Sequence, residues 1–206
     1  MSGRASRTVL LAALVAAVSA TCVFAVSVAQ PQLKVFLEND YLRISVAPHL
    51  NFLSGRALER LKDGASVAFV GQLTIAPAPN SVVTDARSVA RFAFSYDIWE
   101  QKFAAVKIGE RPDLRRSISH LSAEATENWC IENLAIERSL LPPDRAFYVQ
   151  LDLRADDSRD GRGVVGDSGL NITQLIDIFR TPARRDQKFW HLYNGPLRLS
   201  DLRKPG

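Results

Sequence analysis

The sequence predicts an α+β fold built mainly on antiparallel strands, a sheet or sandwich with about three helices packed on it. Three observations lead there. In five segments apolar residues recur at every second position, the pattern of strands with one buried face. In three others the spacing turns helical. The two kinds of segment do not alternate as βαβ units would, and the strands lack the unbroken apolar runs of a parallel sheet.

Along the chain, Leu33, Val35 and Leu37 share one face of a first strand, and Leu42, Ile44 and Val46 one face of a second. Leu53, Ala57, Leu58 and Leu61 form a short helical stripe that stops at Gly64, a residue suited to the left-handed position after a helix. Val67, Phe69, Leu73 and Ile75 alternate again, with Gly71 in the one missing place. Ala90, Phe92, Phe94, Tyr96 and Ile98 follow, while Arg91, Ser95 and Asp97 point away. A second helix is expected at Ala125, Trp129, Cys130 and Leu134, with Ser122 as N-cap and Glu124 in its first turn. Phe147, Val149, Leu151 and Leu153 then alternate with Tyr148, Gln150, Asp152 and Arg154. Ile172, Leu175, Ile176 and Phe179 predict the third helix, opened by Asn171 and ended near Pro182. The breaks at 76–80, 109–112, 142–145 and 156–169 are too short and too poor in Gly and Ser for domain linkers. One domain over 30–201 is expected, followed by a frayed tail at 202–206.

Residues 1–29 read as an export signal. Arg4 and Arg7 precede an uncharged apolar run from Val9 to Ala29, and Ser27 and Ala29 supply the small residues of a cleavage site. Cleavage is the expectation and an uncleaved inner-membrane anchor the alternative, since the run exceeds an ordinary signal core. Thr21 before Cys22 makes a poor lipidation site. The domain is therefore expected in the periplasm or outside the cell, touching membrane only through an uncleaved leader.

The chain is 47% hydrophobic and 23% charged, which excludes the disordered and collagen-like classes. Without Arg4 and Arg7 the count is 24 basic against 22 acidic residues, scattered rather than gathered in a stripe. Nucleic acid is excluded as a partner on that ground. With Cys22 removed alongside the leader, Cys130 has no partner for an intrachain disulfide and reads as a small buried hydrophobe on a helix.

Motifs for catalysis are missing. His49, His120 and His191 stand apart, without metal-ligand spacing, and no nucleophile elbow, phosphate loop or dinucleotide fingerprint occurs. No cofactor is expected, and an enzyme, a hydrolase with residues gathered from distant segments, is the least favoured reading. Asp156, Ser158, Asp160 and Asp167 fall at positions 1, 3, 5 and 12 of a calcium-type loop with Gly161 at position 6. Arg159 and Arg162 oppose a cation there, and a strand rather than a helix enters the loop. A polar hairpin loop is the competing reading. Asp97 and Glu100 flank Trp99, though nothing local marks them as an acid–base pair.

The stretch Phe94-Ser95-Tyr96-Asp97-Ile98-Trp99-Glu100-Gln101-Lys102-Phe103, with Asn128-Trp129-Cys130-Ile131-Glu132-Asn133-Leu134, is the most distinctive in the chain. With the leader and the length, it resembles uncharacterised exported bacterial proteins classed as a domain of unknown function. The resemblance implies an envelope location and a β-rich domain, and supplies no activity and no catalytic residues. The expected function is a non-catalytic envelope protein that binds another, unidentified envelope protein, with Trp99, Tyr148 and Trp190 as candidate anchors. A small-ligand or calcium-binding β-sandwich is the alternative.

Overall fold

A computed structural model gives the fold and describes residues 30–108, 115–156, 179, 183 and 187–202. Residues 1–29, read above as an export signal, lie outside the described residues, as do Asn171, Ile172, Leu175 and Ile176 of the expected third helix. Among the described residues the order is β1 (Gln32–Glu38), β2 (Tyr41–Ala47), α1 (Arg56–Lys62), β3 (Val67–Ala76), β4 (Ala86–Asp97), β5 (Lys102–Ile108), β6 (Arg116–Leu121), α2 (Ala123–Glu132), β7 (Ile136–Glu137), β8 (Phe147–Ala155) and β9 (Phe189–Leu197). All pairings are antiparallel. The strands form a small sheet, β1-β2-β7, and a large one, β6-β5-β4-β3-β8-β9.

The fold is β-rich and sandwich-like, with two α-helices among the described residues; the expected third helix falls outside them except for Phe179. Strands β5, β6, β7 and β9 escaped the alternation for separate reasons. β6 buries neither face, β7 has two residues, and β9 is apolar on both sides and carries Pro196. In β5 only Phe103 and Ala105 are buried. The β1–β2 connection did carry a signal. Asn39 and Asp40 take φ of 48° and 60° between the paired Glu38 and Tyr41, a two-residue hairpin turn of the type that favours Asn and Asp.

One apolar core fills the space between the sheets. Leu33, Leu42 and Ile44 of the small sheet meet Phe69, Leu73, Phe92, Phe94 and Leu151 of the large one. Each large side chain buried this way contributes roughly 1.5–3 kcal/mol. The gap that Gly71 leaves in the alternation of β3 is filled by Leu134, two residues beyond the end of α2, because a Cβ there would lie 2.8 Å from Leu134 Cδ1.

Helix α2 is fixed at both ends by polar groups. Ser122 Oγ accepts from the Ala125 amide at 3.2 Å, as a capping serine should. Its last turn contains no basic residue, and cations arrive from two strands instead. Arg43 on β2 donates to the Glu132 carbonyl at 2.8 Å, and Lys107 on β5 to the Asn133 carbonyl at 2.6 Å. Positive charge at that end meets the negative pole of the helix. Burial, with Arg116 and Arg43 nearby, holds the Lys107 ammonium below its ordinary pKa.

The same helix clamps the loop that leads into α1. Glu127 Oε1 accepts from the Leu53 amide at 2.8 Å, and His49 sits between Glu124 Oε1 at 2.6 Å and Asn128 Oδ1 at 3.1 Å. The clamp sets Phe52 into the core against Phe69 and Phe94, with ring centroids 5.0 and 5.9 Å away. Burial pushes the Glu127 carboxyl above its ordinary pKa despite these backbone donors.

One expectation needs correction. Alternation in β3 and β8 predicts one buried and one solvated face, yet β3 is buried along its whole length. Ala68, Val70, Gln72, Thr74 and Ala76 line its second face, and Gln150 and Arg154 of β8 are buried beside them. Ala68, Val70 and Ala76 made that second face half apolar in the sequence, which is how a strand covered on both sides reads.

Candidate interaction surface

The hairpin between β4 and β5 carries the most exposed aromatic side chain among the described residues. Pairing ends at Asp97 opposite Lys102, so Ile98 leaves the sheet instead of continuing its alternation. Asp97 Oδ1 then accepts from the amides of Trp99 at 2.8 Å and Glu100 at 3.1 Å. A carboxylate bonded two residues ahead builds a turn out of its own side chain. Gln101 closes the turn with φ of 54°. The result holds Trp99 at 95% exposure and Ile98 at 56%, side by side at the tip.

Strand β6 braces this tip. A register irregularity between Phe103 and Ala105 leaves Ser119 and His120 out of the pairing, and His120 takes φ of 62°. Bulges of this kind re-aim a side chain. His120 Nε2 lies 3.3 Å from Glu100 Oε2, and its Nδ1 lies 2.9 Å from Ser119 Oγ. The pair is well exposed, so its contribution is positional more than energetic. A cleft of about 300 Å³ opens beside the tip, lined by Tyr96, Lys102, Ser119 and His120 among others.

The other two candidate anchors sit elsewhere. Trp190 points from β9 into the core, its ring 6.2 Å from Phe52 and 6.1 Å from Phe69 between centroids. Tyr148 lies half-buried with its ring over Gly195, where a Cβ would fall 2.6 Å from Tyr148 Cδ1. The structure therefore brings none of the three together.

The histidines are equally dispersed, each with its own carboxylate: His49 with Glu124, His120 with Glu100, and His191 with Asp152. Among the described residues no three His, Cys, Asp or Glu side chains gather to hold a metal. Of the calcium-type loop, Ser158, Asp160 and Asp167 lie outside the described residues. Asp156 is described, and its carboxylate meets Arg91 Nε at 2.7 Å with both side chains 9% exposed. Cys130 is buried, and burial together with Glu127 pushes its thiol well above the ordinary range, which suppresses the reactive thiolate.

A row of side chains on β9 went unread in the sequence. Phe189, His191 and Tyr193 share its outward face, with centroids 6.2 and 6.3 Å apart. Their alternation is masked because Trp190 and Leu192 make the inward face just as apolar. Compared with known proteins, the chain matches no family model, no curated protein and no solved structure.

Proposed function

We propose that this chain is a non-catalytic exported envelope protein whose domain binds another protein, with Trp99 and Ile98 entering an apolar slot on the partner. The observation that carries the reading is the near-complete exposure of Trp99 on a turn fixed by Asp97. An exposed tryptophan has no folding role to explain it, and tryptophan is among the residues that dominate interface energetics. Holding the tip in one conformation lowers the ordering cost of binding. The leader and the resemblance to exported bacterial proteins support the envelope as the place of action. Asp156 facing a guanidinium weighs against the calcium form of the alternative.

The test is crosslinking of a tagged chain in the native envelope. One stoichiometric partner is expected, lost in Trp99→Ala while the melting temperature stays unchanged. A chain recovered alone, or a partner captured equally by Trp99→Ala, contradicts the proposal.

A further inference from the structure

We propose that the pocket between α1 and the start of β9 binds a doubly charged phosphate group. Arg56 and Arg60 of α1 line it together with Lys188, the residue before β9, above Val67 and Phe69 of β3. The pocket measures about 80 Å³.

Two parts of the chain bring the cations together. Arg56 and Arg60 stand four residues apart on one helix, so their side chains share a face. Ala57 and Leu61 turn inward, and each arginine precedes one of them at the rim. Lys188 is set from the other side. Its carbonyl accepts from the Ala155 amide at 3.0 Å, and its Nζ donates to the Ser54 carbonyl at 3.2 Å. The first bond ties it to the end of β8, the second to the loop that enters α1.

These charges lack counterions. Among the described residues no carboxylate pairs with Arg56, Arg60 or Lys188. Asp156, which follows Ala155 at the pocket wall, gives its carboxylate to Arg91 at 2.7 Å. Like charges one turn apart destabilise a helix, and a third cation across the pocket adds to that repulsion. A bound anion removes it.

Size and charge select the ligand. Ala57, Val67 and Phe69 are 8%, 6% and 1% exposed, so the floor is already packed and takes no acyl chain. All three cationic residues are exposed at the mouth, within reach of a compact group. A carboxylate brings one charge against three. A phosphate monoester brings nearly two at neutral pH, with three oxygens for two planar forks and an ammonium. Such a group arrives on a soluble phosphorylated compound or as a lipid headgroup, and the site takes the chemistry they share. The pocket shares no residue with the β4–β5 tip, so either can fail without the other.

The experiment melts the full chain across micromolar to millimolar inorganic phosphate, with chloride holding ionic strength constant and acetate run in parallel. Phosphate should raise the melting temperature by about 4 °C at roughly ten times its dissociation constant. The rise should saturate, as site binding does and general exclusion of salt from the surface does not. Arg60→Gln and Lys188→Gln should each weaken the apparent affinity about tenfold, as loss of one good contact implies. Lys34→Gln removes the same charge from an exposed position on β1 and should leave the affinity unchanged. Without phosphate, Arg60→Gln should melt no lower than the parent, which shows that it folds. Flotation with phosphatidylcholine vesicles, with and without phosphatidic acid, separates the two sources. Phosphatidic acid binding abolished by Arg60→Gln identifies a headgroup; saturation by inorganic phosphate without flotation identifies a soluble ligand. No saturable rise with phosphate overturns the proposal. So does equal saturation by acetate, an affinity untouched by Arg60→Gln and Lys188→Gln, or an equal loss in Lys34→Gln.

Discussion

Trp99 and Trp190 are both tryptophans in aromatic-rich strand pairs, and the fold treats them in opposite ways. Trp190 faces inward from β9 and packs edge-on or tilted against Phe52 and Phe69. Trp99 sits two residues beyond the last pair of β4 and β5, where no second sheet can reach it. An aromatic residue is therefore core or contact according to whether its strand still runs beneath it. Hydrophobicity alone does not distinguish the two.

The largest effect expected from that contrast is on stability. Trp190→Ala should lower the unfolding free energy by about 3 kcal/mol, because it empties space against two core rings. Trp99→Ala should change it by less than about 0.5 kcal/mol, as exposed substitutions do. Denaturant titration of both variants checks this, and equal costs would break the comparison. Next in size is Gly71→Ala, expected to cost about 1–3 kcal/mol as Leu134 is forced aside; an unchanged midpoint would mean that the segment after α2 yields there.

Asp97→Ala sharpens the account of the tip. Losing the acceptor for two amides should cost about 1 kcal/mol and reduce partner capture, whereas Asp97→Asn, which still accepts, should retain both. Equal capture by the two variants would show that turn rigidity is irrelevant.

The smallest effect concerns pH. Because burial raises the Glu127 pKa, the folded chain holds that proton more tightly than the unfolded one. The stability this contributes is complete below the unfolded value of about 4.5 and is lost as pH rises through the folded value. Glu127→Gln keeps an acceptor for Leu53 and removes the titration. Relative to the parent it should gain stability between pH 4 and pH 8, measured by urea midpoints. A constant difference across that range would contradict the burial argument.

Much of the fold was legible because one-sided burial writes itself as alternation. The inward faces of β1, β2, β3, β4 and β8 were all readable, as were Ser122 and Gly64 at their helix ends. The rest failed for physical reasons. The last turn of α2 is stabilised by Arg43 and Lys107 from other strands, a tertiary contact with no local trace. The second face of β3 mixes Gln72 and Thr74 with alanine and valine, so it read as solvated. Ile98 fitted the period of β4 although the turn lifts it away, since periodicity cannot see where pairing stops. Trp99 was identified by type, but its exposure depends on the turn Asp97 makes, which only the backbone reveals.

The most direct test of the account places a photoreactive phenylalanine at position 99 and, in a second chain, at Val82, which is 98% exposed in the β3–β4 connection. The two positions match in exposure and differ in setting. Irradiated in the native envelope, the chain labelled at 99 should give one crosslinked species of defined mass, and the chain labelled at 82 should give none. No adduct from position 99, or the same adducts from both, would contradict the claim that the β4–β5 tip is where this protein meets its partner.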